Sequence, residues 1–184
     1  MTLIAQLHQD HINLSRLLEV MELKVQNLKA GDAPNFLLLS ELVDYIGNYA
    51  DEYHHPREDH MYHYFTGRDA SLDAHLQKCE ADHADLKQAS KVINETVDAV
   101  MHDAVIPMSD FIDQLEAFVL RERDHLDYEE TVIFPGIEQV AKASDWEALE
   151  QKLPEPEDPL FGEKQGENYR ELYKALLEDV ISVR

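Results

Sequence analysis

The chain has one cysteine, Cys79, so no internal disulfide can form and the sequence reads as that of a protein for a reducing compartment. Basic residues are also scarce. Sixteen Lys and Arg stand against 38 Asp and Glu, and the formal charge of −22 repels phosphate backbones and anionic lipid surfaces. The expected partners therefore include no nucleic acid and no membrane, and cations are favoured. No apolar run approaches the ~20 residues needed to span a bilayer, and the opening MTLIAQLHQD has neither a basic leader nor a long apolar core. The expectation is a soluble, cytoplasmic protein. There is no nucleophile elbow, glycine-rich phosphate loop or CxxC pair, which disfavours hydrolase and nucleotide-dependent chemistry. No stretch shows the period-two alternation of a half-buried strand.

What the chain has instead is helical periodicity. At 184 residues with 44% apolar content it can bury one sizeable core. Residues 3 to 29 place Ile4, Leu7, Leu14, Leu18, Met21, Val25 and Leu28 on one seam that ends at Ala30-Gly31-Asp32, and His11 fills its remaining position. Residues 35 to 65 align Val43, Ile46, Ala50, Met61 and Phe65 with His54 and Glu58. After Gly67 a third seam reads Leu72, Leu76, Cys79, Leu86, Ser90, Ile93, Val97 and Val100, with His83 in its gap. The fourth begins near Pro107 and reads Met108, Phe111, Leu115, Phe118, Glu122, His125, Glu129 and Val132.

Four long helices with short polar connections predict an all-α fold, an antiparallel up-and-down four-helix bundle over residues 1–142. Residues 143–184 are predicted to add a helical extension. Ser144 with Glu147 suggests a capping box, ProGluProGluAspPro at 154–159 a stiff connector, and residues 163–182 an amphipathic helix with Tyr169, Leu172, Tyr173, Leu176, Leu177, Val180 and Ile181 on one side. That helix is read as packed on the outside of the bundle, with a homodimer contact as the alternative.

The chemistry lies in the polar members of the seams. His11 is followed 43 residues later by His54, and His83 is followed 42 residues later by His125. The second member of each pair opens the string HxxxE, His54 to Glu58 and His125 to Glu129. An i, i+4 pair shares one helix face, about 6 Å apart along the axis, so imidazole and carboxylate can converge on a point. A lone buried histidine is usually a hydrogen-bonded core residue. Four histidines in register with two carboxylates differ, because burying them costs several kcal/mol for each unpaired charge unless a cation compensates. His11, His54, Glu58, His83, His125 and Glu129 are therefore the predicted ligands of two metal ions.

Several neighbours compete for roles. His55 and Asp59 make a second HxxxD, but stepping by turns from His55 meets Asp44, Asn48, Asp51 and Asp59, a polar stripe, so His55 is expected outside the site. Pro56 removes an amide donor there and is expected to kink the helix. Glu130 is a rival to Glu129. Glu122 reads equally as a ligand, or partner of an imidazole, and as a solvated edge residue; Cys79 reads first as a small packing residue, then as a metal or redox partner. His8, His60, His63, His75 and His102 read as surface residues. Tyr45, Tyr49 and Tyr128 read as packing aromatics before donors to a bound oxygen species.

A lone histidine, an HxxxE, a second lone histidine and a second HxxxE, one element per helix, resemble the hemerythrin-like proteins, or HHE cation-binding domain. The flanking strings QDHINL, HHPRED and HLDYEETVIFP are similar too, and the resemblance covers roughly residues 1–140. It implies two non-heme iron ions inside the bundle, bridged by the two carboxylates and an oxo or hydroxo group, with dioxygen, another small diatomic or peroxide as partner. The oxygen carriers of the family place two histidines one turn apart on the third helix. Here the positions four either side of His83 are Cys79 and Lys87, so a fifth histidine is missing and reversible oxygen carriage is disfavoured. Three functions follow: reaction with these small molecules in oxidative-stress sensing or detoxification, iron storage or delivery, and an interaction module around a structural metal.

Overall fold

The computed structural model describes residues 2–153, 158–161, 169 and 171–176, and all regular structure among them is helical. The first rod is α1 (Leu3–Lys29). The second is α2 (Phe36–Tyr49), a single π turn over Ala50–His54, and α3 (His55–Phe65). The third is α4 (Ala70–Met101). The fourth is α5 (Met108–Tyr128), a second π turn over Glu129–Ile133, and α6 (Phe134–Val140). A short α7 (Ala143–Glu150) follows.

The connections are short and chemically marked. Asn35 caps α2 by accepting from Leu38 N at 3.1 Å, and Asp69 caps α4 by accepting from Leu72 N at 2.9 Å. Gly31 follows α1 with φ +92°, a conformation open to glycine at no steric cost. Links this short force consecutive rods to lie antiparallel side by side. The first rod packs on the second and fourth, and the third packs on the same two, which closes the bundle.

Burial divides the core into two apolar blocks. One gathers Leu14, Leu18, Met21, Leu39, Ile46, Ile93, Phe111 and Leu115; the other gathers Leu3, Leu7, Met61, Phe65, Leu76, Ile133, Phe134 and Ile137. His11 lies between Leu7 and Leu14 on α1, and His83 between Cys79 and Leu86 on α4. The polar seam residues thus occupy one layer with hydrocarbon on both sides.

Parts of the extension are placed. Leu160 and Leu172 are buried in the first apolar block, Leu172 N donates to Glu41 Oε2 at 2.7 Å, and Tyr169 donates to Asp44 Oδ2 at 3.1 Å. Residues 171–176 are helical, and Leu172, with Tyr173, Ala175 and Leu176 beside it, packs against the first apolar block. Residues 154–157 of the connector, and Leu177, Val180 and Ile181, lie outside the described residues. The expected capping box at Ser144 and Glu147 is not formed; α7 starts two residues earlier, where Asp145 Oδ2 accepts from Lys142 N at 2.8 Å. Asp145 is fixed there by Arg68, at 2.6 and 3.0 Å, and by Tyr64, at 3.0 Å.

Gly47 marks the closest approach of α2 and α4, since a Cβ built on it meets Ser90 Cβ at 3.0 Å. A Gly47→Leu substitution must separate the two helices, and overpacking of this kind costs about 1–3 kcal/mol. Urea unfolding of the metal-free protein is expected to show that loss; an unchanged midpoint would mean that the helices do not touch there.

Candidate metal centre

The two π turns set the site. His55 N–H bonds Ala50 O and Phe134 N–H bonds Glu129 O, each spanning five residues instead of four. A proline follows one residue later in both rods, Pro56 and Pro135. In an α-helix each ring would press on the carbonyl four residues back, which would also lack its donor. Widening the preceding turn relieves this, in place of a simple kink, and slips the register by one residue.

That slip corrects two expectations. On the fourth rod the seam passes from Glu129 to Ile133, which is wholly buried, rather than to Val132. On the second rod, the wide turn brings His54 and His55 onto one face. His55 is not on a solvated stripe: it is buried, its ring stacks on His83 with centroids 4.3 Å apart, and it meets His125 edge-on at 5.5 Å.

The six predicted residues converge, all of them buried. Nε2 of His11 and Nε2 of His54 are 3.0 Å apart and each is 3.3 Å from Glu58 Oε1. Two imidazole nitrogens bound side by side to one ion at about 2.1 Å sit about 3 Å apart. On the opposite side, Nε2 of His83 is 3.5 Å from Glu58 Oε2 and 3.3 Å from Glu129 Oε1. Glu129 Oε2 is 3.3 Å from both His11 and His125. Each carboxylate therefore faces two histidine groups at once. Potential metal donors within 4.8 Å of one another form three overlapping sets: His11, His54, Glu58 and Glu129; His55, Glu58, His83 and His125; and Cys79, His83, His125 and Glu129.

A second layer of carboxylates holds the rings by their far nitrogens. His11 Nδ1 donates to Glu130 at 2.7 Å, His54 Nδ1 to Asp10 at 3.2 Å, and His83 Nδ1 to Asp59 at 2.7 Å. Such contacts fix ring orientation and make the near nitrogen more basic. Asp10 is itself held by Tyr49, at 3.1 Å, and Arg57, at 3.4 Å. Glu130 accepts from exposed His8 at 2.9 Å and supports His11, while its neighbour Glu129 lies in the site. Tyr62 donates to Glu129 Oε1 at 2.5 Å, and the Cys79 thiol donates to the same oxygen at 3.3 Å.

The charges are unbalanced in an informative way. Burial depresses the His11 imidazole, but Glu129, Glu130 and Glu58 outweigh it and hold it well above its usual range. His83 is raised likewise, burial being overcome by Asp59, Cys79 and Glu129. Burial and the charge of Glu129 push Glu58 upward, yet His54 and His11 bring it down to about 2. His55 falls to about 4, chiefly through burial. Burial also drives Glu122 up to about 8, with Asp51 adding to it, and the Cys79 thiol up to about 12. Glu122 is thus a buried residue and not a solvated edge.

A cation fits this donor set. Glu58 Oε2, Glu129 Oε2, His55 Nδ1 and both ring nitrogens of His125 are buried among the described residues without a hydrogen-bond partner. Orphaned acceptors at one level of a bundle are costly unless an ion satisfies them.

A family model, the hemerythrin HHE cation binding domain, matches residues 2–137. The chain belongs to this family. No curated protein and no solved structure matches it. This hemerythrin-like domain is accordingly a cation-binding helical bundle, and its buried His and Glu clusters are the groups able to hold metal.

The seams did not reveal Asp10, Asp59 or Tyr62. The two aspartates are chain neighbours of seam residues, as Glu130 is, beside His11, Glu58 and Glu129. A neighbour one position off a seam sits at the layer's edge, where it can reach a ring's outer nitrogen. Tyr62 carries its own signal, being one turn beyond Glu58. Of the weaker histidines, His60, His63 and His102 are exposed, whereas His75 Nδ1 is 2.6 Å from the Tyr128 hydroxyl. Tyr45 is engaged by Asp158 at 2.9 Å.

Two outcomes follow. His55→Ala is expected to weaken one metal by at least about tenfold, as loss of a buried metal contact does, while His60→Ala leaves the metal content unchanged in elemental analysis; equal content in both would return His55 to a packing role. Because His11 and His83 have raised values, they keep their protons at neutral pH in the metal-free protein, and a metal must displace them. Apparent affinity is therefore expected to rise with pH, and metal binding is expected to release protons at pH 7. Titration of a divalent metal in weakly buffered indicator reads this directly, and zero release contradicts the assignment.

Proposed function

We propose that this protein holds a non-heme di-iron centre that reacts with dioxygen, peroxide or nitric oxide in oxidative-stress sensing or detoxification. The observation that carries it is the placement of Glu58 and Glu129, each of which faces the His11/His54 group and the His83/His125 group together. Imidazole and carboxylate donors suit iron among the available divalent metals. When bound, the pair supplies electrons and open coordination positions to a small molecule; what the chain contributes is the dry layer, the orientation of the rings and the proton inventory.

The two donor groups are unequal. His11 and His54 supply two nitrogens, whereas His55, His83 and His125 supply three, so the open positions fall on the His11/His54 side. On this reading His55 supplies, beside the third rod, a nitrogen in place of the missing fifth histidine. Glu130, Asp10 and Asp59 add electron density through the imidazoles and favour the oxidised metals. Tyr62, against Glu129, places a phenol where protons are needed during reduction of a small oxidant. These features support net oxidation over reversible carriage. The absence of a disulfide and the lone buried thiol fit a reducing, cytoplasmic setting.

Stopped-flow mixing of the anaerobic, iron-reconstituted protein with oxygen, followed by evacuation, tests this. The expected result is bleaching of the reduced state that evacuation does not undo, with consumption of added peroxide. Recovery of the reduced spectrum on evacuation would identify a carrier, and two bound irons inert to oxygen, peroxide and nitric oxide would leave a storage or structural role.

A further inference from the structure

The buried thiol of Cys79 is not needed by the site as described, since Glu129 Oε1, its acceptor at 3.3 Å, already receives Tyr62 at 2.5 Å and faces His83 at 3.3 Å. A packing role does not require a sulfur at this level of the bundle either. Leu76 precedes it on the α4 seam and His83 follows it, and an apolar side chain would fill the same space without a polar atom among ionised groups.

We propose that Cys79 is a thiolate ligand of the second metal, completing with His83, His125 and Glu129 a set that adds sulfur to the nitrogen donors on that side of the two carboxylates. Its Sγ belongs to one set with His83, His125 and Glu129 whose donor atoms all lie within 4.8 Å of one another. Ligand bonds of about 2.3 Å for sulfur and 2.0–2.1 Å for nitrogen put two donors on opposite sides of one ion at most about 4.4 Å apart. The set therefore closes on an ion with shifts of a few tenths of an ångström. An independent feature points to the same place: among the described residues His125, with 3% of its side chain exposed, has no hydrogen-bond partner on either ring nitrogen, and Glu129 Oε2 has none. Something other than a protein hydrogen bond must meet them.

In the binding step the S–H bond breaks heterolytically, its electron pair forms the metal–sulfur bond, and the proton leaves to solvent. No electron is transferred, and no further reactant is required. A soft donor discriminates against magnesium, calcium and manganese, and its negative charge stabilises the higher oxidation state of the ion it holds. The two metals of the centre are then chemically distinct: one bound by nitrogen and oxygen with open positions, the other closed by sulfur.

This inference rests on the two-metal reading, and Co2+ alone, added anaerobically to the metal-free full-length chain, separates the two. Expected is a near-ultraviolet sulfur-to-cobalt charge-transfer band that grows with one of two equivalents. The band is lost in Cys79→Ser, which keeps its ligand-field bands and binds the second ion at least about tenfold more weakly. Two equivalents bound by the unaltered protein with ligand-field bands and no sulfur band overturn the Cys79 assignment and leave the two-metal reading standing. Uptake of fewer than two equivalents overturns both. Should Cys79→Ser fail to fold, the unaltered protein's spectrum, with a sulfur shell sought at the cobalt absorption edge, decides alone.

Discussion

Two carboxylates with no exposed surface, Glu58 and Glu129, face each other inside a helical bundle, and most of the layer around them is arranged in response. Each raises the cost of ionising the other, and burial raises it further. Both are nonetheless held ionised, because His11, His54, His83 and His125 surround them. The attraction between such groups in a low-dielectric interior is large, but so is the desolvation of each, and bare pairs of this kind rarely give net stability. The layer therefore reads as one built for a ligand and tolerated by the fold, with the apolar blocks on either side supplying the stability.

Much of this was legible in the sequence, and the reason is periodicity. His11 and His83 fill gaps in otherwise apolar seams, and a helix that keeps 3.6 residues per turn must bury what its seam carries. The bundle architecture and the convergence of the six predicted residues follow from that rule alone. It failed where the backbone stopped obeying it. His55 was assigned to solvent and Val132 to the core because the count assumed four-residue turns through Pro56 and up to Pro135, whereas each proline is preceded by a five-residue turn. The prolines were visible; their effect on the register was not, since a proline can end, kink or widen a helix and only the packing of neighbouring rods selects among these.

The outer carboxylates illustrate a different limit. Asp10, Asp59 and Glu130 are ordinary members of a strongly acidic sequence, and nothing in composition distinguishes them from the other acidic side chains. Their function depends on being one position from a seam residue and near the ring of another rod, a relation between helices that a single seam does not contain. Cys79 was read first as a packing residue for the same reason. A small buried side chain is explained by packing until the neighbouring rod places a carboxylate and an imidazole beside it.

The two apolar blocks have one more consequence, for folding. Each rod threads both blocks, yet between them lies a layer in which side-chain packing is replaced by charges that demand partners. The ends of the bundle are thus joined through helix backbone and poorly joined through side chains, so the protein has the anatomy of two cooperative units sharing four struts. An ion held by one of the His and Glu clusters, each of which draws on more than one strut, would stitch those units together. Metal loading in such a molecule is also an assembly step, one that makes the unfolding of either end the concern of the other.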